Sequence, residues 1–272
     1  MHSHIMELYR LYMIVGGMPQ AIQSLVDSNS FSDVEDVKKS ILDLYIKDAA
    51  KLDRRQGSAK ASSIMRSIPS YLERHDRTFS PGATKKNTGI RDYRMTIDDL
   101  SESMMVNLCY RITEPSVDQA SHSDEDDLKI YMGDTGLLLT QSFRSVACNK
   151  GAVYESLLRG DLNINQGMYF ENMVAQELRM AGHELYFAKF NHEDSKRLQE
   201  VDFVIVHDGL PTPIEVKSGR KTKAHASLDR FMDKYGPALG KAFVVHGKDL
   251  EATEDVVYIP IYMVSLLRSR TP

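Results

Sequence analysis

Tryptophan is absent from this 272-residue chain, and cysteine occurs only at Cys109 and Cys148. Two distant thiols without C-x-x-C spacing exclude a disulfide framework and a zinc finger, and they fit a reducing cytoplasm. No apolar run approaches the ~20 residues that a bilayer-spanning helix needs, and no signal-peptide pattern opens the chain, so neither a membrane nor secretion is expected. Repeats and low-complexity tracts are also missing, which excludes a solenoid. Positive charge is in short supply: the formal net charge is −4. A whole-chain basic field for nucleic acid is therefore excluded, and any such contact must use a local patch.

What is present is ordinary soluble-protein material, 42% hydrophobic and 26% charged, enough for one large domain or two small ones. Residues 1–60 read as helical. Leu8, Leu11, Tyr12 and Val15 form a stripe that Gly16-Gly17 breaks, and Pro19 opens a second helix through Ile22, Leu25 and Val26. Asp33 is the expected N-cap of a third helix with Val37, Ile41, Leu44 and Tyr45 on one face.

Residues 61–140 read as a winged-helix-like module. Ile64, Ile68 and Leu72 mark a helix that Pro69 kinks or ends early. A basic segment follows, with Lys85, Lys86, Arg91 and Arg94. After a helix at 98–106, Leu108, Tyr110 and Ile112 alternate as a strand; Ser121 to Asp127 is an acidic loop, and Leu128, Ile130 and Met132 form a second strand. A helical spacer with a hairpin is the alternative for this order. Gly136-Leu137-Leu138-Leu139 is a short apolar helix.

Residues 141–272 hold an α/β domain, its order clear from 167 onward, so the whole chain is of mixed α/β (α+β) class. A helix at 168–181 is followed by strands at 185–187, 200–206 and 212–217, a helix at 226–235 and a strand at 242–245. Asp208-Gly209 is a hairpin signal between the second and third strands. Alternation puts Glu215 and Lys217 on one face of the third strand, and the hairpin register brings Asp202 to the same end. Two carboxylates and an ammonium suit a Mg2+ or Mn2+ site, since such an ion needs only one or two carboxylates plus waters and substrate phosphate. Lys217 is then the group that orients water or offsets phosphorane charge. Glu171, on the preceding helix, is a further candidate. The alternative is a solvated hairpin face, against which stands Asp202 in the apolar run Val201 to Ile205.

The set Glu171, Asp202 and Glu215-Val216-Lys217 resembles the PD-(D/E)XK nuclease superfamily, whose core order is αβββαβ. Gly16-Gly17-Met18-Pro19, Asp134-Thr135-Gly136-Leu137, Phe170-Glu171-Asn172-Met173-Val174-Ala175, Glu200-Val201-Asp202-Phe203 and Ile214-Glu215-Val216-Lys217-Ser218-Gly219 together resemble the C-terminal region of prokaryotic AAA-type ATPases. The resemblance covers nearly the whole chain. It implies a winged helix followed by a restriction-endonuclease-like domain, with Glu171, Asp202, Glu215 and Lys217 as catalytic residues and Asp202 and Glu215 as metal ligands. Val201 stands where the superfamily name has Pro. The phosphate-binding pattern G-x-x-x-x-G-K followed by Ser or Thr does not occur, so ATP hydrolysis by this chain alone is not expected.

Three functions compete on these residues. One is cleavage of DNA phosphodiesters with Mg2+ or Mn2+. Another is a non-catalytic DNA- or protein-binding regulatory module, with a protein partner or a homo-oligomer. The third is a component of a toxin, antitoxin or defence system. Lys85, Lys86, Arg91 and Arg94 are the candidate nucleic-acid patch, a solvated basic loop being the alternative. If they contact DNA, their joint charge reversal weakens binding and flattens its salt dependence in a filter-binding titration. Unchanged affinity rejects the patch.

Overall fold

Gly16 and Gly17 end the first helix, where a side chain would be most confining. A computed structural model describes residues 1–56, 59–81, 88–144, 154, 158, 166–193, 195–219 and 222–269, with backbone alone at 52–56, 195 and 196. Contacts divide the chain into two units, Met1–Asn107 with Ile130–Asn165, and Leu108–Lys129 with Gln166–Pro272.

In the first unit, helix α1 spans His2–Val15 and α2 spans Pro19–Ser28. Pro19 supplies the preset φ of a first helical turn, and Asn29, at φ 50°, closes α2 in the left-handed region. Helix α3, Phe31–Gln56, begins before the expected Asp33. The Ser30 hydroxyl accepts the Asp33 N–H at 3.4 Å, so Ser30 takes the capping role and Asp33 adds negative charge to the first turn. Val15, Ala21 and Val34 form a buried cluster with Leu11, Met18, Leu25, Phe31 and Val37 packed on it. Val26 and Leu44 are exposed. At 100° per residue, Val26 lies about 140° around α2 from Ala21, and Leu44 about 200° around α3 from Leu42.

Helix α4, Lys60–Leu72, runs one turn past Pro69. Burial of Ile68, Tyr71 and Leu72 offsets the backbone bond that proline cannot make. Helix α5 covers Arg94–Glu102 and α6 covers Thr135–Ser142.

Asp134 links two of the sequence motifs. Its Oδ1 accepts the Leu137 N–H at 2.8 Å, capping α6, and its Oδ2 accepts the Gly17 N–H at 2.6 Å. Gly16 has φ +86°, and a Cβ there would stand 2.4 Å from Asp134 Oδ1. A Cβ on Gly136 would meet Gly16 Cα at 2.6 Å. The Gly-Gly and Asp-Thr-Gly segments are therefore shaped to each other. Beside them Lys38, fully buried, donates to Ile14 O at 2.7 Å, Gly136 O at 3.3 Å and the Tyr154 hydroxyl at 3.1 Å, with Glu35 Oε2 at 3.7 Å. Burial lowers the Lys38 ammonium to about 8, against the pull of Glu35 and Asp134.

The second unit carries the expected αβββαβ order: α7 Gln166–Met180, β3 Leu185–His192, β4 Ser195–His207, β5 Leu210–Lys217, α8 Ala226–Tyr235 and β6 Ala242–His246. With β1 Val106–Ile112, β2 Ser123–Met132, β7 Glu251–Ala252 and β8 Val256–Pro260, the sheet order is β2-β1-β3-β4-β5-β6-β8-β7. Strands β3–β4 and β4–β5 are antiparallel; β1–β3, β5–β6 and β6–β8 are parallel. The fold is the mixed α/β class that the sequence predicts. The strands read as the end of a winged-helix order, β1 and β2, continue the sheet beyond β3.

The acidic run expected as a loop is largely strand. β2 starts at Ser123. Arg111 on β1 pairs with Asp124 and, through Nε, with Asp127 at 3.1 Å, while Lys189 on β3 reaches Asp127 at 3.4 Å. Cross-strand charge pairing overrides the poor strand propensity of aspartate. Leu228 and Phe231 of α8 pack on Val204, Val244 and Tyr258. Among the described residues, no helix is long and apolar enough to cross a membrane.

Replacing Asp134 with Ala removes a cap and leaves the Gly17 N–H unpaired, and is expected to destabilise the protein by about 2 kcal/mol or more in urea unfolding. Gly16→Ala should cost a similar amount through its positive φ and the clash with Asp134. Unchanged midpoints for both variants would reject the coupling of the two motifs.

Candidate functional site

The turn between β4 and β5 sets the site. Asp208 and Gly209 both have positive φ, 51° and 78°, as a type I′ hairpin turn requires. The register runs from His207–Leu210 to Phe203–Ile214. One step further, Asp202 falls opposite Glu215. Asp202 Oδ2 accepts the Val216 N–H at 2.7 Å, and Lys217 Nζ donates to Glu215 Oε1 at 2.6 Å. Asp202, Glu215 and Lys217 thus come together.

β5 lies between β4 and β6, with Glu215 opposite Val244. Glu215 is 7% exposed. Burial first, then the neighbouring Asp202 carboxylate, pushes its carboxyl up to about 8, while Lys217 and Lys129 pull it down. Its Oε2 is buried and has no hydrogen-bond partner among the described residues.

Glu171, 1% exposed on α7, is engaged by a residue that sequence reasoning missed. Lys129 on β2 is fully buried, its Nζ 3.2 Å from Glu171 Oε1 and 2.7 Å from Glu200 Oε1, and 4.9 Å from the centre of the Phe187 ring. The available signal was a lysine between Leu128 and Ile130 in an alternating strand. Asp202 in its apolar strand is a case of the same kind. Cys109 is fully buried, and burial pushes its thiol well above the ordinary range, which suits an inert core residue.

Of the basic patch, Arg91 is exposed and Arg94 half-buried. Lys85 and Lys86 lie outside the described residues.

A divalent ion suits the Asp202–Glu215 pair on one structural ground. No donor among the described residues reaches Glu215 Oε2, a buried acceptor beside a second carboxylate. Among the described residues, no group of three or more His, Cys, Asp or Glu side chains forms a ready-made metal cage. Mg2+ does not need one, since it keeps several waters and takes one or two carboxylates.

Residues 6–145, more than half of the chain, match a family described as a domain of unknown function (DUF8612). The chain belongs to that family. Residues 166–264 match a second domain of unknown function (DUF4143), a domain found in AAA-ATPase-associated C-terminal regions. No match occurs among curated proteins or among solved structures. The second match contains Glu171, Asp202, Glu215 and Lys217, whereas Lys129 falls in the first.

Glu215 also predicts a pH dependence. A carboxyl raised to about 8 on folding binds more protons in the native state than in the unfolded state, so stability falls as pH rises from the ordinary carboxylate range through 8. Without added metal, Glu215→Gln should remove that part of the slope and be the more stable protein at pH 9, by on the order of 1 kcal/mol or more. Parallel urea-unfolding curves for the two proteins from pH 5 to 9 would refute it.

Proposed function

We propose that this chain is the nuclease-like part of an AAA-ATPase-associated protein and hydrolyses DNA phosphodiesters with Mg2+ or Mn2+ held by Asp202 and Glu215. The observation that carries this reading is the buried Oε2 of Glu215 beside Asp202, without a hydrogen-bond partner among the described residues. An orphaned carboxylate oxygen in a sheet interior is costly, and sites of this kind concentrate where chemistry is done. When bound, the ion polarises the phosphoryl oxygen and lowers the pKa of an attacking water. Asp202 and Glu215, on two adjacent strands, would hold it. Lys217, already 2.6 Å from Glu215, presents an ammonium at the edge of the site for the water or for charge developing on phosphorus.

One observation favours a second reading. Glu171 is held by Lys129, which suits a non-catalytic module that binds DNA or a protein partner through the same fold. DNA incubated with the protein separates the two. With Mn2+ added, cleavage is expected, and Asp202→Ala is expected to reduce it to background. Salt-sensitive binding without cleavage would establish the second reading. Cleavage that survives Asp202→Ala would sink the residue assignment.

A further inference from the structure

Lys129 is a buried cation shared by two acids. Its ammonium contacts Glu171 Oε1 at 3.2 Å and Glu200 Oε1 at 2.7 Å, and the Phe187 ring centre lies at 4.9 Å. Lys129 is completely buried and Glu171 is 1% exposed, so removing the ammonium takes a close cation from a buried carboxylate in a low-dielectric interior, whereas removing Glu171 leaves Glu200 on Lys129. Asp202 and Glu215 are arranged differently. Asp202 accepts a backbone N–H and Glu215 a lysine on the rim, and one Glu215 oxygen has no partner among the described residues.

We infer that Lys129 is a positioning residue that holds Glu171 and Glu200 as its own counterions and so restricts the site to a single divalent ion at Asp202 and Glu215. The inference rests on the metal-binding reading above. The ammonium bridges a helix carboxylate and a sheet carboxylate, a role that a second metal ion would otherwise fill. A second divalent ion at those two acids would sit against the buried ammonium, where repulsion is poorly screened. Glu171, which resemblance alone makes a catalytic residue, thereby becomes a partner of Lys129.

The test is Mn2+ binding to the full chain, measured by calorimetry and by paramagnetic resonance of free Mn2+. Wild type is expected to bind one ion. Glu215→Gln should weaken it by about tenfold or more, as loss of a ligand does, while Glu171→Gln, which keeps an acceptor for Lys129, leaves the affinity nearly unchanged. Lys129→Met is expected to gain a second Mn2+ at the released acids, and Lys129→Arg to stay at one. Two ions on wild type, equal losses in Glu171→Gln and Glu215→Gln, or a folded Lys129→Met that still binds one would overturn the role of Lys129 and leave the proposed function standing. If Lys129→Met does not fold, the wild-type stoichiometry and the Glu171→Gln affinity decide. Wild type without Mn2+ binding would overturn the metal reading itself.

Discussion

The register of β4 against β5 is the constraint on which the candidate site depends. Asp208 and Gly209 adopt the left-handed conformations that a two-residue turn needs, and the pairing from His207–Leu210 to Phe203–Ile214 follows. A slip of one residue would send Glu215 and Lys217 to the opposite face and bring Ile214 and Val216 in their place. Because β6 continues the sheet on the far side of β5, Glu215 is buried as well as aligned. Alignment brings Asp202 close enough to matter electrostatically, and burial makes that proximity strong. The raised Glu215 pKa is the joint result.

The two units treat buried charge in contrasting ways. In the first, Lys38 has three oxygen acceptors and a nearby carboxylate, and both Asp134 oxygens accept a backbone N–H. Such pairing locks neighbouring segments together. In the second, Lys129 engages Glu171 and Glu200 in the same manner, but Glu215 Oε2, like Arg111 Nε, Gln141 Oε1 and His207 Nδ1, is buried without a hydrogen-bond partner among the described residues. Of these four atoms, only Glu215 Oε2 belongs to a carboxylate.

Much of this was legible in the sequence for specific reasons. Pro19, Gly16-Gly17 and Asp208-Gly209 act through their own backbone preferences, so their turns and helix ends appear where local chemistry puts them. Alternation likewise placed Glu215 and Lys217 on one face of β5. The misses depend on tertiary partners. Asp124 and Asp127 became strand residues because Arg111 and Lys189 on neighbouring strands pair with them. Lys129 reached the helix carboxylate because β2 and β1 lie beside β3, a neighbour relation across many residues that periodicity cannot report. Strand β8 went unread because Val256–Pro260, paired along its length with β6, shows no apolar–polar alternation.

That lysine lies in one family match and its two acids in the other. The segment matched as DUF4143 begins at residue 166, so it contains α7 and β3 through β8 but neither β1, β2 nor Lys129. Taken by itself, that segment would expose the β3 edge that β1 covers and leave the buried Glu171 without the cation that compensates it. Residues 108–129, which fall within the other matched segment, extend the sheet beyond β3 and supply Lys129 to its buried acids. The dependence runs through the Lys129 ammonium, the Lys189–Asp127 ion pair, the Gln119 bond to Val204 O and a parallel strand pairing. The charge state of the candidate site is therefore set by both matched segments, even though the four residues that resemble a nuclease constellation all lie in one.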